Sequence, residues 1–157
     1  MSHNDINPAG GRSAVAAAEL ETLIREGVPL VGSYGVTVES VGAGTIRLRM
    51  PYREDFVRPG GTVTGPALFG LADVALYGAV LSMIGRVELA VTTSMTINFL
   101  RKPGQRGVIA EARILKMGKR LAYGDVLLYS EGEDEPVAHV TGTYSIPPNR
   151  QPVTMLA

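Results

Sequence analysis

The chain has 157 residues with 15 Lys and Arg against 15 Asp and Glu, so its formal net charge is zero. It has no cysteine, and 45% of its residues are hydrophobic. No basic surplus points to nucleic acid or an anionic membrane, and the lack of cysteine excludes disulfides, thiol nucleophiles and thiolate-bound zinc. The length fits one domain with its own core. Residues 1–13 are polar, with Pro8 and a Gly pair, and read as a flexible N-terminal tail without an apolar leader; His3 within it reads as inert. Residues 14–157 read as a single domain.

From Ala14 to Glu26, Val15, Leu20, Leu23 and Ile24 share one helical face, and Gly27 and Pro29 end the helix. Leu30–Val41 and Thr45–Met50 alternate as strands, with Gly42, Ala43 and Gly44 turning between them. The Gly-x-Gly there is no dinucleotide fingerprint, because Arg47 stands where a third Gly belongs and no helix follows. Tyr52–Val63 is a loop. Pro66–Ile84 is a helix, with Thr64 as its N-cap, Pro66 in its first turn and Gly85 as its stop. Strands follow at Leu89–Arg101, Val108–Met117, Ala122–Ser130 and Pro136–Ser145. Gly118-Lys119-Arg120 and the acidic run Glu131–Glu135 turn between them. One long helix with about six strands is an α+β pattern, met by an antiparallel sheet wrapped around the helix.

The Pro66–Ile84 helix is apolar nearly all round, which predicts burial. It reads as too short and too polar for a membrane span, since Asp73 lies at its centre. A carboxylate there needs a partner or a polar cavity. Its neighbours one turn away, Phe69, Gly70, Leu76 and Tyr77, are uncharged, and Gly70 leaves room beside it that suits a bound substrate better than a packed core. Before the helix, Arg58–Gly65 is Gly-rich and feeds free N–H groups to the positive end of the helix dipole. That arrangement favours an anion, or an oxygen that becomes one during reaction. Asp73 and a helix-start donor make a hydrolytic pair. The alternative is a carboxylate that caps another element at a subunit interface, and a glycine kept for packing.

The segment Arg58–Gly85 resembles the signature of the hotdog-fold acyl-CoA thioesterases of the phenylacetate-degradation type. That family shows Asn, five residues, His-Gly-Gly, then Leu-Ala-Asp. Leu71-Ala72-Asp73 and Gly65 match, whereas Arg58, Thr64 and Pro66 stand where Asn, His and the second Gly do. Val91–Pro103 is similar to the family's long central strand, and the resemblance spans roughly Tyr34 to Ile146.

The resemblance implies hydrolysis of an acyl-CoA thioester to a free acid and coenzyme A. Asp73 acts as nucleophile or general base, the Gly65 N–H as oxyanion donor, and Thr92 as orienter of the attacking water. Thr64 takes the His position, where a hydroxyl can hold water or the carbonyl but cannot take a proton at neutral pH. Arg58 pairs with Asp73 or binds a substrate anion. Arg101, Lys102, Lys119 and Arg120 offer charge to the phosphates of coenzyme A. No metal is expected, nor any cofactor beyond the coenzyme A of the substrate. His139 reads as structural. The expected partners are the substrate and a second copy of the chain, with dimer or tetramer left open, and the expected location is the cytoplasm. Gly65 and Asp73 are eight residues apart, about 12 Å along a helix, so one site needs Gly65 of one copy and Asp73 of another. Two other functions stay open: a non-catalytic acyl-CoA-binding protein, and an enoyl-CoA hydratase, whose Asp–His pair is absent here.

Overall fold

The structure is a computed structural model and describes residues 11–148. Of the expected tail, residues 1–10, His3 included, lie outside the described residues. Residues 11–14 are tied to the body: the Ala43 N–H donates to the Gly11 carbonyl at 3.0 Å and the Ala14 N–H to the Ser82 carbonyl at 2.7 Å. Helix α1 (Ala17–Gly27) buries Leu20, Leu23 and Ile24, and Val15 is buried just before it. Pro29 does not end this helical region. It opens a one-turn helix, α2 (Pro29–Gly32), because proline at a first helical position loses no hydrogen bond. The expected strand Leu30–Val41 therefore shrinks to β1 (Thr37–Gly42).

Strand β2 (Thr45–Met50) alternates as expected, with Ile46, Leu48 and Met50 facing the core. The loop after it holds a 3-10 turn (Glu54–Phe56) and a short ribbon, β3 (Val57–Arg58) and β4 (Thr62–Val63). Gly60 and Gly61 close the ribbon at φ of 98° and 79°, a region that costs other residues strain. Helix α3 (Gly65–Ile84) follows. Then come β5 (Val91–Phe99), β6 (Val108–Met117), β7 (Leu121–Ser130) and β8 (Pro136–Ser145), each within two residues of its expected bounds.

The six long strands form one sheet in the order β1-β2-β6-β7-β8-β5, antiparallel throughout. Helix α3 touches all six. Leu68, Leu71, Leu76 and Leu81 are at most 1% exposed, each worth about 1.5–3 kcal/mol of burial. By length and mean hydropathy (1.9) α3 would pass as a membrane span, contrary to the sequence reading, but 67% of its most apolar stretch is buried inside the protein. Glycines set its close approach. A Cβ on Gly124 or Gly142 would come within 2.7 Å of a Leu76 methyl, so Leu76 sits in a notch cut by two neighbouring strands.

Two partly exposed features are of note among the described residues. Strand β5 is a sheet edge, with Val91 and Phe99 each 58% exposed. Along α3, every residue from Ala67 to Ser82 is buried except Phe69, Gly70, Asp73 and Tyr77, which lie at helical spacing on one stripe.

Candidate active site

Asp73 stands in the middle of that stripe, beside the first residues of β5. Its Oδ1 accepts hydrogen bonds from Thr92 Oγ1 at 2.7 Å and from the Tyr144 hydroxyl at 2.6 Å. The same hydroxyl lies 2.9 Å from the Asp73 carbonyl. Burial, and then the neighbouring Asp73 charge, push the Tyr144 phenol well above its ordinary value, so it remains a donor. Tyr77 stacks on Tyr144 with ring centroids 6.1 Å apart and donates to the Glu88 carbonyl at 3.0 Å. Burial is the main cause that pushes the Tyr77 phenol up to about 12.

Thr92 reaches Asp73 because β5 carries a bulge. Met95 and Ile97 pack against the core, and strict alternation would place Thr93 inward as well. The register shifts between Thr92 and Ser94, so Thr92 pairs with Tyr144 and turns inward with it. A bulge beside a site re-aims a side chain in this way.

Gly65 is the first residue of α3, so its N–H has no acceptor within the helix. It lines a cavity of about 410 Å³ with Arg58, Phe99, Arg101 and Lys102. A Cβ at Gly65 would lie 3.0 Å from the ring of the exposed Phe99. The cavity joins an oxyanion-type donor to three cations. Arg101 pairs with Glu135 at its rim, while Arg58 is exposed.

Several expected placements need correction. Arg58 does not pair with Asp73, whose partners are Thr92 and Tyr144. Thr64 occupies the N-cap position with extended backbone but makes no side-chain cap bond. The space beside Gly70 is filled by Tyr34 and Val31, each 3.4 Å from a Cβ built there. Lys119 and Arg120 do not join Arg101 and Lys102. They precede Leu121, which aligns across the sheet with Ser145 and Val91, whereas Arg101 follows Phe99, which aligns with Ala138 and Leu128. The two basic pairs are separated by roughly eight strand residues, about 27 Å. His139 lies away from Asp73: its Nε2 is 3.0 Å from Asp125 Oδ2 on the outer face of the sheet, where Arg113 also holds Asp125 at 2.8 Å.

The sequence reading missed Tyr144 and the Asp125 cluster, and placed Tyr77 only as an uncharged neighbour of Asp73. Tyr144 carried a signal. It follows Val140 and Gly142 on the inward face of β8, and an inward tyrosine needs a partner for its hydroxyl. The one carboxylate of α3 is that partner.

Comparison with known proteins extends over most of the chain. The family model described as Thioesterase superfamily matches residues 60–137. A solved structure of a "putative thioesterase" from Silicibacter sp. TM1040 is 43% identical, with a TM-score of 0.79, over 88% of this chain and 96% of that one. A mutant of the phenylacetic acid degradation protein PaaI from Thermus thermophilus is 29% identical, with a TM-score of 0.68, over 76% of this chain and 99% of that one. A curated "putative esterase" of Saccharolobus solfataricus is 27% identical over 132 residues, 84% of this chain and 86% of that protein.

Proposed function

This chain belongs to the thioesterase superfamily, with the hotdog fold of the PaaI-like type, and on that footing we propose that it hydrolyses an acyl-CoA thioester to a free acid and coenzyme A. The observation that carries the reading is Asp73. It is a carboxylate on the partly exposed stripe of an otherwise buried apolar helix, held by two hydroxyl donors. In the step proposed, Asp73 takes a proton from water as the water oxygen bonds to the thioester carbon. The carbonyl oxygen becomes an oxyanion and is met by the Gly65 N–H. The tetrahedral adduct then collapses, the C–S bond breaks, and Asp73 returns its proton to the departing thiolate sulfur. A single oxyanion donor is worth about 3–4 kcal/mol of barrier. Proton transfer and oxyanion stabilisation suffice for this chemistry, so the step calls on no metal or redox group.

The site is proposed to form between two copies. Within one chain, Gly65 and Asp73 are about 12 Å apart along the helix axis. The edge of β5 and the stripe of α3 supply the surface for a second copy, which a two-fold axis would place so that Gly65 of one serves Asp73 of the other. Arg58, Arg101 and Lys102 go with Gly65 and take the coenzyme A phosphates. Lys119 and Arg120 lie at the Asp73 end of the sheet, since Thr92, Tyr144 and Ala122 align there.

The test is thiol release over a panel of short, long and aryl acyl-CoA esters, with D73N alongside. Asp73→Asn is expected to lose about two orders of magnitude in kcat or more while folding normally. Equal rates for both proteins would remove Asp73 from the chemistry. Tight binding of coenzyme A without turnover by either would replace hydrolysis with a binding function. Thr64 favours that second reading, because a hydroxyl stands where the resembling family has an imidazole.

A further inference from the structure

We propose that Tyr144 and Thr92 are positioning residues that clamp one oxygen of Asp73, Oδ1, and so assign the proton transfer to the other, Oδ2. The inference rests on the hydrolytic reading above for its role, and on geometry alone for the clamp.

The two oxygens of a free carboxylate are equivalent and exchange by rotation of the group. Here both hydroxyl donors, at 2.6 and 2.7 Å, address Oδ1, and Oδ2 has no hydrogen-bond donor among the described residues. Hydroxyl-to-carboxylate bonds of this length are the strong, charge-assisted kind. Rotating Asp73 to exchange its oxygens would break both at once. The lone pairs of Oδ1 are engaged, so Oδ2 is the oxygen left to meet water or the thioester.

The donors are themselves fixed. Thr92 and Tyr144 are a cross-strand pair, so one rung of the sheet supplies both hydroxyls. Strand β8 is flanked by β5 and β7, which holds the Tyr144 backbone on both sides. The Tyr77 ring stacks on the Tyr144 ring at 26°, which holds the phenol in plane. A carboxylate so held presents one oxygen in one direction, the pre-organisation that near-attack geometry needs.

The test uses Y144F, T92V and T92S in the full chain. Tyr144→Phe and Thr92→Val should each lower kcat roughly 10- to 100-fold, the scale of a misplaced reacting group, and leave KM at the parental value. Thr92→Ser, which keeps the hydroxyl, should restore kcat. In the D73A background, Tyr144→Phe should cost nothing further, because the phenol acts only through Asp73. A second measurement reads the clamp without turnover. In urea unfolding of Y144F, D73A and the double variant, the midpoint shifts should fall short of additivity. Additive shifts, or an equal rate loss from Tyr144→Phe in both backgrounds, would overturn the clamp. Non-additive shifts with no thioester hydrolysed by the parental protein would keep the clamp and remove the hydrolytic reading.

Discussion

Complementation between two inactive variants tests the shared site directly. The helix rises 1.5 Å per residue, so the eight residues from Gly65 to Asp73 span about 12 Å. A thioester carbon needs both groups within a few ångströms, and the Asp73 side chain is already committed to Thr92 and Tyr144 at 2.7 and 2.6 Å. Asp73→Asn removes the base and should cost about two orders of magnitude or more. Gly65→Pro removes the donor N–H and should cost roughly 100- to 1,000-fold. Its position favours it: Thr64 is already extended, as a residue before proline prefers, and the first helical position tolerates proline. Gly65→Ala is the control for bulk, since it keeps the N–H and presses only on Phe99, which is 58% exposed and free to turn. Each variant must first be shown to fold and to dimerise. Co-refolded at equal amounts, half the dimers are hybrid, and each hybrid has one intact site and one doubly damaged site. About a quarter of the parental thiol-release rate should therefore return. Hybrids confirmed by mass that show no activity would refute the argument and confine the site to one chain, or remove Gly65 from it.

The cavity makes a second prediction. Arg101→Ala with Lys102→Ala, or Arg58→Ala alone, should raise KM for acyl-CoA and spare kcat, while short thioesters without the nucleotide should show no change; an equal effect on both substrate types would dismiss phosphate binding. Gly142→Ala puts a Cβ within 2.7 Å of Leu76 and 3.0 Å of Met95, and should lower unfolding stability by about 1–3 kcal/mol in urea titration, with part of the loss recovered by Leu76→Ala. Stability should also fall in alkali. The folded Tyr77 phenol is raised from 10.0 to about 12 and Tyr144 is raised further, so the unfolded chain ionises first. The contribution is full below about pH 10 and is lost as pH rises through the folded values, so the urea midpoint should drop from about pH 9 to about pH 11, and drop less in Y77F.

Much of this architecture was legible in the sequence. Strands β6 and β8 carry their period so plainly that their bounds match the expectation, and the apolar run with Gly85 marked α3. Pro29 misled because proline both stops one helix and starts the next. The site was legible in its chemistry and not in its surface. The stripe of Phe69, Gly70, Asp73 and Tyr77 is nearly as apolar as the buried faces of α3, so periodicity could not mark it. Thr92 was reached through the family resemblance, because alternation alone selects Thr93 and a bulge leaves no reliable mark in a Thr-Thr-Ser run. Lys119 and Arg120 looked close to Arg101 in character, but only the hairpin register reveals that they sit at the far end of the sheet. Tyr144 had its signal in the inward phase of β8, legible once a partner for its hydroxyl is sought.

The notch that holds Leu76 has a bearing on how this protein can change over generations. A side chain seated between Gly124 and Gly142 works as a detent: sliding α3 by a turn, about 5.4 Å, would drive it out of the notch and into the backbone of two strands. The seat of α3 on the sheet, and with it the place of Asp73 beside Thr92 and Tyr144, is thereby fixed for any descendant that keeps these three positions. Substitutions at 76, 124 and 142 are tied to one another in size, so a change at one costs stability that a change at another recovers in part. New substrate ranges are left to arise where no such interlock exists, in the glycine-closed ribbon before α3 and along the exposed end of β5.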